Sequence, residues 1–479
     1  MKFKKVLLVC PPFYNARNRL AHFPVVGLGY IAEALKVAGI HVNVFDMNLG
    51  YSLRDLKNQI SYFQPDLIGF TAMTLSYKKF YYLVNEVKRM FPKVKIVVGG
   101  AHISAIREKL LQDCHGVDYG IIWEGDRGIV ELCRGKELDK ISGLIYRENK
   151  NIEVTESGNF IKNLDELDFP KYETFDLNKY PLQQIAIVTS RGCPYDCIYC
   201  SVQTSIGKIF RFRSAESIVA EIAYWHNKGY REILILDDNF TFISKRVEEV
   251  CALLAEKNLK DVHLKLTSGI RADRVNFELL KRMRSVGFDY IAFGVEAATN
   301  KVLKNIKKDE TIETIEMRIK EACELNFDLD LFFLIGAPGE TLEDLKESFS
   351  LAHRYPVRRA IFYNLIPFPS TELTKWLIKN NYLTRPIEDI LNNCSYYKNQ
   401  PCFSTPEMSV EERKRAFKMG QKVYIEVRRK FLERKLNAPL FIKKIFSFIY
   451  ARPVVENVIM NSSVILWLKE RIKKMHLKQ

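Results

Sequence analysis

Arg191-Gly192-Cys193-Pro194-Tyr195-Asp196-Cys197-Ile198-Tyr199-Cys200 places three cysteines at C-x3-C-x2-C spacing, directly after the apolar run Ile185-Ala186-Ile187-Val188-Thr189-Ser190. That run reads as a buried strand feeding a loop. A cysteine-rich loop at a strand end suits a metal centre. A closed structural zinc site wants four ligands and usually a second Cys or His pair, and no such pair lies nearby in the sequence. Iron and sulfur fit better. Four Cys would saturate a [4Fe-4S] cluster, whereas Cys193, Cys197 and Cys200 leave one iron open, and an open coordination site is where chemistry can happen.

The chain of 479 residues, 47% of them hydrophobic, is long enough for real cores and for about two to four domains. The apolar run Val6-Leu7-Leu8-Val9-Cys10 stops at Pro11-Pro12 and is too short for a signal-peptide core, so the expectation is a cytoplasmic protein. Besides the motif cysteines there are seven scattered singly, at Cys10, Cys114, Cys133, Cys251, Cys323, Cys394 and Cys402. That is no disulfide framework, and it implies a reducing compartment. The formal charge of +16 is unevenly placed: from residue 411 onward eighteen Lys and Arg face six Glu and no Asp, a net +12, leaving +4 for everything before. The basic character belongs to one C-terminal segment, which argues against a chain built around nucleic acid.

Residues 4–134 alternate short apolar runs with amphipathic stretches. Lys5–Cys10, His41–Met47, Asp66–Met73, Val94–Gly100 and Val117–Trp123 read as strands, with helices near 26–38, 52–63, 78–90, 102–112 and 126–134. This is β/α alternation with a doubly wound parallel sheet. Ligands of such sheets sit beyond the carboxyl ends of the strands, here Pro11-Pro12-Phe13-Tyr14, Thr71-Ala72-Met73-Thr74, Gly99-Gly100-Ala101-His102 and Glu124-Gly125-Asp126. Nucleotide, flavin and cobalamin are all compatible with that much. Leu144–Val154 then reads as a hairpin turning on Asn149-Lys150-Asn151, and Leu164–Pro170 as an acidic linker ended by Pro.

Residues 185–368 hold six further strand-like runs, Ile185–Ser190, Ile233–Asp238, His263–Gly269, Tyr290–Glu296, Leu329–Gly336 and Ala360–Pro367. They read as an open, partial (β/α)6 barrel, with its chemistry at the strand C-termini. There stand Asp237-Asp238-Asn239, able to cap a helix or receive a cation. Arg271 is able to fork a carboxylate or pair with Asp273 or Asp237. Glu296 can accept two hydroxyls or be a satisfied barrel carboxylate. Gly336-Ala337-Pro338-Gly339-Glu340-Thr341 makes a turn, with Glu340 expected in the first turn of the following helix. The last hundred residues are helical by pattern, with apolar stretches at Leu440–Tyr450 and Val464–Leu468, none long enough to span a bilayer. Apolar faces mixed with Lys and Arg suit an interfacial helix on anionic lipid or a basic cap over the barrel mouth. The expected division is 1–140, a linker with hairpin at 141–184, the barrel at 185–372, and a basic helical region at 373–479.

The cysteine spacing, with Tyr199 just before the last Cys, resembles the radical S-adenosylmethionine (radical SAM) enzymes. The unit ahead of it resembles the flavodoxin-like cobalamin-binding domain of the B12-dependent branch, through Pro11-Pro12, Gly27-Leu28-Gly29-Tyr30-Ile31-Ala32, the Gly99-Gly100-x-His102 turn and Glu124-Gly125. The resemblance implies a [4Fe-4S] cluster on Cys193, Cys197 and Cys200, whose open iron chelates SAM and whose electron cleaves it to methionine and a 5′-deoxyadenosyl radical. It implies SAM contacts at Tyr199, Asp237, Asp238, Arg271, Glu296, Gly336 and Pro338, and cobalamin contacts at Pro12, Thr71, Thr74, Gly99, Gly100, His102, Glu124 and Gly125. The D-x-H-x-x-G signature is absent, so a base-off cobalamin without a strong protein nitrogen ligand is expected, with His102 a turn residue rather than a cobalt ligand. Pro367–Leu373 is similar to the branch's P-x-P-G-T-x-L, with Ser370 in place of Gly. The implied activity is methyl transfer to an unactivated carbon of a small or lipid-like substrate under anaerobic conditions, with a flavodoxin or ferredoxin as electron donor and peripheral membrane contact through the basic C-terminus. A non-methylating cobalamin enzyme such as the anaerobic magnesium-protoporphyrin cyclase is the alternative. A tRNA methylthiotransferase would need a second cluster, for which Cys10, Cys114 and Cys133 are the candidates.

Overall fold

Val6 to Cys10 are all buried, an unbroken apolar run of the kind that a parallel strand covered on both faces requires. In the computed structural model, which describes residues 1–13, 22–149, 151–156, 160–462 and 465, this run is strand β1 (Lys5–Cys10). It is joined by β2 (His41–Asp46), β3 (Leu67–Thr71), β4 (Lys95–Gly99) and β5 (Tyr119–Ile121), all parallel, in the order β2-β1-β3-β4-β5. The strand order reverses between β1 and β3, and such a switch point opens a crevice at the carboxyl ends. Helices Val26–Val37, Leu53–Phe63, Tyr77–Met90 and Gly125–Arg134 fall where the pattern places them. The helix expected over 102–112 is broken into Ala101–Ile106 and Glu108–Asp113, because Arg107 between them takes a left-handed φ of 53°.

The hairpin read as part of a linker extends this sheet instead. Strands β6 (Leu144–Glu148) and β7 (Asn151–Val154) add antiparallel to β5, with Leu144 opposite Ile121. Lys150 of its turn lies outside the described residues.

The second sheet is made of six parallel strands: β8 (Gln184–Ile187), then, after the short ladder of β9 (Ser190–Arg191) with β10 (Arg211–Phe212), β11 (Glu232–Ile235), β12 (His263–Ile270), β13 (Phe288–Glu296), β14 (Asp328–Ile335) and β15 (Arg359–Asn364). They follow one another in chain order, so β8 and β15 are the edges of an open, partial barrel. The edge at β15 is covered. Helix Val410–Lys435, started by a capping box between Ser409 and Glu412, buries Ala416, Phe417, Gly420, Val423, Tyr424, Val427 and Phe431, the three-and-four spacing of one helical face. It lies along β15, where a Cβ on Gly420 would meet Cβ of Phe362 at 2.8 Å. The basic segment therefore seals the barrel's last strand, as exposed edges demand, before continuing into helices Leu440–Tyr450 and Pro453–Met460. Of the Val464–Leu468 stretch only Ile465 is described. Among the described residues no helix is long and apolar enough to cross a membrane.

Gly420→Val should force the helix off Phe362 and destabilise the fold by about 1–3 kcal/mol, read as a lower denaturation midpoint. Gly27→Ala, where a Cβ meets nothing within 4 Å, should leave that midpoint unchanged or raised.

Candidate active site

The three motif cysteines lie on a loop pinned at its base. Ser190 and Arg191 pair antiparallel with Phe212 and Arg211, and Gly192 follows at φ +87°, where a Cβ would strike the Ile209 carbonyl at 2.3 Å. Only glycine can make that turn. Cys193 N–H donates to Gly207 O at 3.3 Å, Ile198 N–H to Ile306 O at 3.2 Å, and Leu373 N–H to Ile198 O at 2.9 Å, so the loop is tied to itself and to the barrel. Cys193, Cys197 and Cys200 are half-buried, whereas Cys10, Cys114, Cys133, Cys251, Cys394 and Cys402 are buried. Burial pushes all three motif thiols up, Cys200 to about 12, so a metal must displace their protons. Among the described residues no three His, Cys, Asp or Glu converge as ligands of one ion. A mononuclear zinc needs that convergence, while each iron of a cubane takes a single thiolate. The donor set fits a cluster. Cys10, Cys114 and Cys133 are each buried, and burial pushes their thiols up.

Above the carboxyl ends of the first sheet is a cavity of about 370 Å³ that reaches the barrel. Its floor is apolar, with Leu8, Val97, Ile121 and Ile129, and its barrel wall includes Val188, Leu236 and Asp238. Five glycines line it, Gly27, Gly69, Gly99, Gly100 and Gly125. At Gly27 a Cβ would meet nothing within 4 Å and at Gly99 nothing closer than 3.9 Å. Those two glycines relieve no clash; they keep a cradle open for a large ligand. Of the residues expected to touch cobalamin, Thr71, Gly99, Gly100, Glu124 and Gly125 line this cavity, while Pro12, Thr74 and His102 do not.

His102 is turned into the protein. Its ring stacks on Tyr77 at 4.9 Å, Nε2 lies 3.0 Å from the Tyr81 hydroxyl, and burial pushes its pKa down to about 3. It is a neutral core histidine. Glu124 reaches the cavity, but its carboxylate accepts from Arg191 at 3.1 Å, Arg211 at 2.5 Å and the Ile161 amide at 2.9 Å. Arg191 also forks Asp126 at 2.8 and 3.1 Å. Burial opposes ionisation of Asp126, and the Arg191 guanidinium outweighs it, holding the carboxyl below its ordinary range. Trp123, which sequence reasoning passed over, also lines the cavity and donates from Nε1 to Thr204 O at 3.2 Å, tying this rim to the cysteine loop.

Residues 187–352 match the radical SAM superfamily profile, and residues 16–133 match the B12 binding domain profile. An uncharacterized methyltransferase of Pyrococcus horikoshii is 30% identical over 394 residues, covering 80% of this chain and 85% of its own. The chain belongs to the cobalamin-dependent radical SAM enzymes. The anaerobic magnesium-protoporphyrin IX monomethyl ester cyclase of Cereibacter sphaeroides is 25% identical over 390 residues, 77% of this chain and 63% of that protein. Two solved folds are similar. The radical SAM methyltransferase TsrM of Kitasatospora setae, with tryptophan and a SAM analog bound, superposes with a TM-score of 0.70 at 19% identity, over 80% of this chain and 78% of that one. The cobalamin-dependent radical SAM enzyme OxsB, with aqua-cobalamin and SAM bound, gives 0.72 at 16% identity, over 99% and 75%. The cofactors of this enzyme are a [4Fe-4S] cluster, SAM and cobalamin.

The barrel side of this cobalamin-dependent radical SAM enzyme departs from expectation at several polar positions. Asp237 is buried and saturated: it accepts from Thr189 N and Oγ1 at 2.6 and 2.5 Å and from Ser190 Oγ at 2.6 Å, with Arg246 at 3.7 Å. It holds the strand end before the cluster loop and has nothing left for SAM. Asp238 is the open carboxylate. It lines the cavity, no hydrogen bond reaches it among the described residues, and burial, with the Asp237 charge, pushes it up to about 6. Just after it, the buried Asn239 amide and Thr241 hydroxyl have no hydrogen-bond partner among the described residues, and neither lines the cavity.

Arg271 forms the internal pair: it forks Asp273 at 2.9 and 3.1 Å, donates to Lys308 O and Asp309 O, and stacks 3.6 Å from the Tyr195 ring centroid. Its guanidinium is spent bracing the cluster loop, not free for a SAM carboxylate. Glu296, at a left-handed φ of 66°, sits 3.4 Å from Lys308 Nζ, and Lys308 stands at the same distance from Glu310. Tyr199 lies beside Glu296; burial, then that carboxylate, push its hydroxyl up. Gly336, expected to touch SAM, has the position of its missing Cβ occupied from within the protein. Arg413 of the long C-terminal helix donates to Gly336 O at 3.0 Å, and a Cβ at Gly336 would lie 1.5 Å from its Nη1. Pro338 presents its carbonyl to Asn305. Glu340 precedes the helix instead of joining it, folding back so that Oε2 accepts from the Gly336 and Ala337 amides at 2.6 and 3.1 Å. Ser370 takes φ +66°, which explains the glycine expected there, and its hydroxyl donates to Ala105 O of the cobalamin-side layer at 2.8 Å.

Arg191→Met should strand the Asp126 and Glu124 carboxylates and destabilise the protein by about 3–5 kcal/mol, with corrinoid retention and iron content falling together in reconstituted protein. A pH series tests Glu340, whose carboxyl burial pushes up to about 7. The folded state keeps a proton that the unfolded chain releases first, so wild-type stability should fall as pH rises from about 5 to 7. Glu340→Gln should remove that part of the slope, of the order of 2–3 kcal/mol.

Proposed function

We propose that this enzyme is a C-methyltransferase acting on an unactivated carbon of a small or lipid-like molecule. The observation that carries the reading is the shared cavity, in which cobalamin-side glycines and the barrel's Asp238 face one space, so that two cofactors can address one substrate. The methyltransferase from Pyrococcus horikoshii, at 30% identity, supports it.

When bound, the cluster and SAM supply a radical oxidant, and cobalamin supplies a methyl group. The chain's own residues orient and shield. Cys193, Cys197 and Cys200 would hold the cluster. Asp238, which lines the cavity, would receive the SAM amino group, while Asp237 and Arg271 act one step removed, fixing the strand end and Tyr195. Thr71, Gly99, Gly100 and Gly125 would bound the corrinoid, and the apolar floor would exclude water from its buried portion. A flavodoxin or ferredoxin fits as the source of electrons.

Anaerobic reconstitution with iron and sulfide, then incubation with hydroxocobalamin, reductant and SAM, tests the reading. Stoichiometric bound corrinoid with S-adenosylhomocysteine, methylcobalamin and 5′-deoxyadenosine is expected. Bound corrinoid and 5′-deoxyadenosine without cobalamin methylation would instead favour a cyclase-like reaction, in keeping with the 25% identity to the magnesium-protoporphyrin cyclase. Cys193→Ala, Cys197→Ala and Cys200→Ala should each abolish 5′-deoxyadenosine formation while corrinoid is still retained.

A further inference from the structure

Helix Leu440–Tyr450 is turned inside out. Its fully buried side chain is Ser447, whose hydroxyl donates to Glu433 at 2.9 Å, while Phe441, Ile445 and Phe448 are 66%, 59% and 53% exposed. These three follow at four- and three-residue steps and so form one stripe. Leu440, Ile449, Val454 and Val458 widen it across the next helix. A surface helix of a globular protein puts its apolar stripe inward, and an outward patch of this kind marks an interaction site.

The charge around the patch selects the partner. Lys444 and Arg452 are exposed beside it, and Lys443 stands half-exposed on the same helix, off the stripe. Between Leu436 and Ser462 the sequence has one acidic residue, Glu456, and that carboxylate faces inward, to Arg359 at 3.1 Å and the Tyr424 hydroxyl at 2.6 Å. A twofold contact between copies of this face would add a second set of these cations to the first, with no further carboxylate between Leu436 and Ser462 to pair them. A negatively charged, apolar-cored surface accommodates both features. We propose that helices Leu440–Tyr450 and Pro453–Met460 dock the enzyme on an anionic lipid bilayer. The longer helix extends about 16 Å, against a hydrocarbon core of about 30 Å, so it lies in the interface with its apolar stripe down and its lysines at the headgroups.

The docked face is connected to the active site. Helix Pro453–Met460 ends with Met460 O 3.1 Å from His22 Nε2, and His22 leads into Val25, Val26 and Gly27, which line the cofactor cavity. A bilayer held here adjoins the chain that borders that cavity, which suits a lipid-like substrate. This last step rests on the proposed reaction; the docking itself does not.

The test is sedimentation of the full-length, cluster-loaded protein with vesicles of phosphatidylcholine alone or mixed with phosphatidylglycerol. The anionic vesicles should carry the protein down, and the neutral ones should not. The triple variant Phe441→Ser/Ile445→Ser/Phe448→Ser and the double variant Lys443→Glu/Lys444→Glu should each weaken binding about tenfold or more, while corrinoid retention and SAM cleavage without vesicles stay at the wild-type level. The proposal falls if the wild type stays in the supernatant with both vesicle types. It also falls if only the lysine variant loses binding, since charge alone would then explain adhesion. A dimer in vesicle-free buffer that the triple variant dissolves, with no vesicle binding, would assign the face to a second copy. Binding that emerges only after residues 463–479 are removed would assign it to that segment. SAM cleavage is measured separately, so failure of the reaction and failure of docking give different results.

Discussion

Four buried charges hold the cobalamin side and the barrel side together. Arg191 and Arg211, on β9 and β10, enclose Glu124 and Asp126, which begin the helix after β5. Two cations and two anions removed from water gain little net stability from pairing, because desolvation consumes most of the Coulomb attraction. What the group gives is direction. Planar guanidinium forks donate to carboxylates in one orientation, and Arg191 lies two residues ahead of Cys193. The position of the cluster loop is therefore set by carboxylates belonging to the other sheet. The loop Trp123-Glu124-Gly125-Asp126, which rims the cavity, shares that anchor.

Much of this was readable in the sequence. The strands of both sheets stood out because parallel strands covered on both faces leave unbroken apolar runs, and the cluster loop because its spacing and flanking residues are so constrained. Which polar side chain stays open was not readable. Asp237 and Asp238 are neighbours of one residue type just past the end of β11, and the chain there turns one into Thr189 and Ser190 and the other into the cavity. Arg271 and Asp273 are two apart and find each other. Glu124 had the right place and the wrong partner, since Arg211 lies 87 residues away. The orphaned Asn239 and Thr241 are conspicuous only in three dimensions, because lacking a partner is a property of surroundings.

The C-terminal segment had a legible half. The spacing Ala416, Phe417, Gly420, Val423, Tyr424, Val427, Phe431 marks a helix with one inward face, and Gly420 on that face signals a close approach. Its net charge drew attention away from that face. Arg413 extends the same helix to the Gly336 turn, stacking on Phe403 at 4.3 Å, so the segment that seals the barrel's edge also reaches the end of β14. Ser370 makes a comparable link from the end of β15 to the cobalamin-side layer, and its hydroxyl offsets the backbone strain of its left-handed conformation.

The helix against β15 also imposes an order on synthesis. The six barrel strands leave the ribosome before Val410–Lys435 does, so for a time the nascent barrel carries a finished sheet whose β15 edge is bare, a row of amide and carbonyl groups able to recruit any extended chain nearby. The segment that removes this hazard is made late, and its arrival converts a sticky intermediate into a closed surface. A chain halted between Asn364 and Ser409 would hold all six strands of the barrel and still lack what keeps neighbouring copies apart.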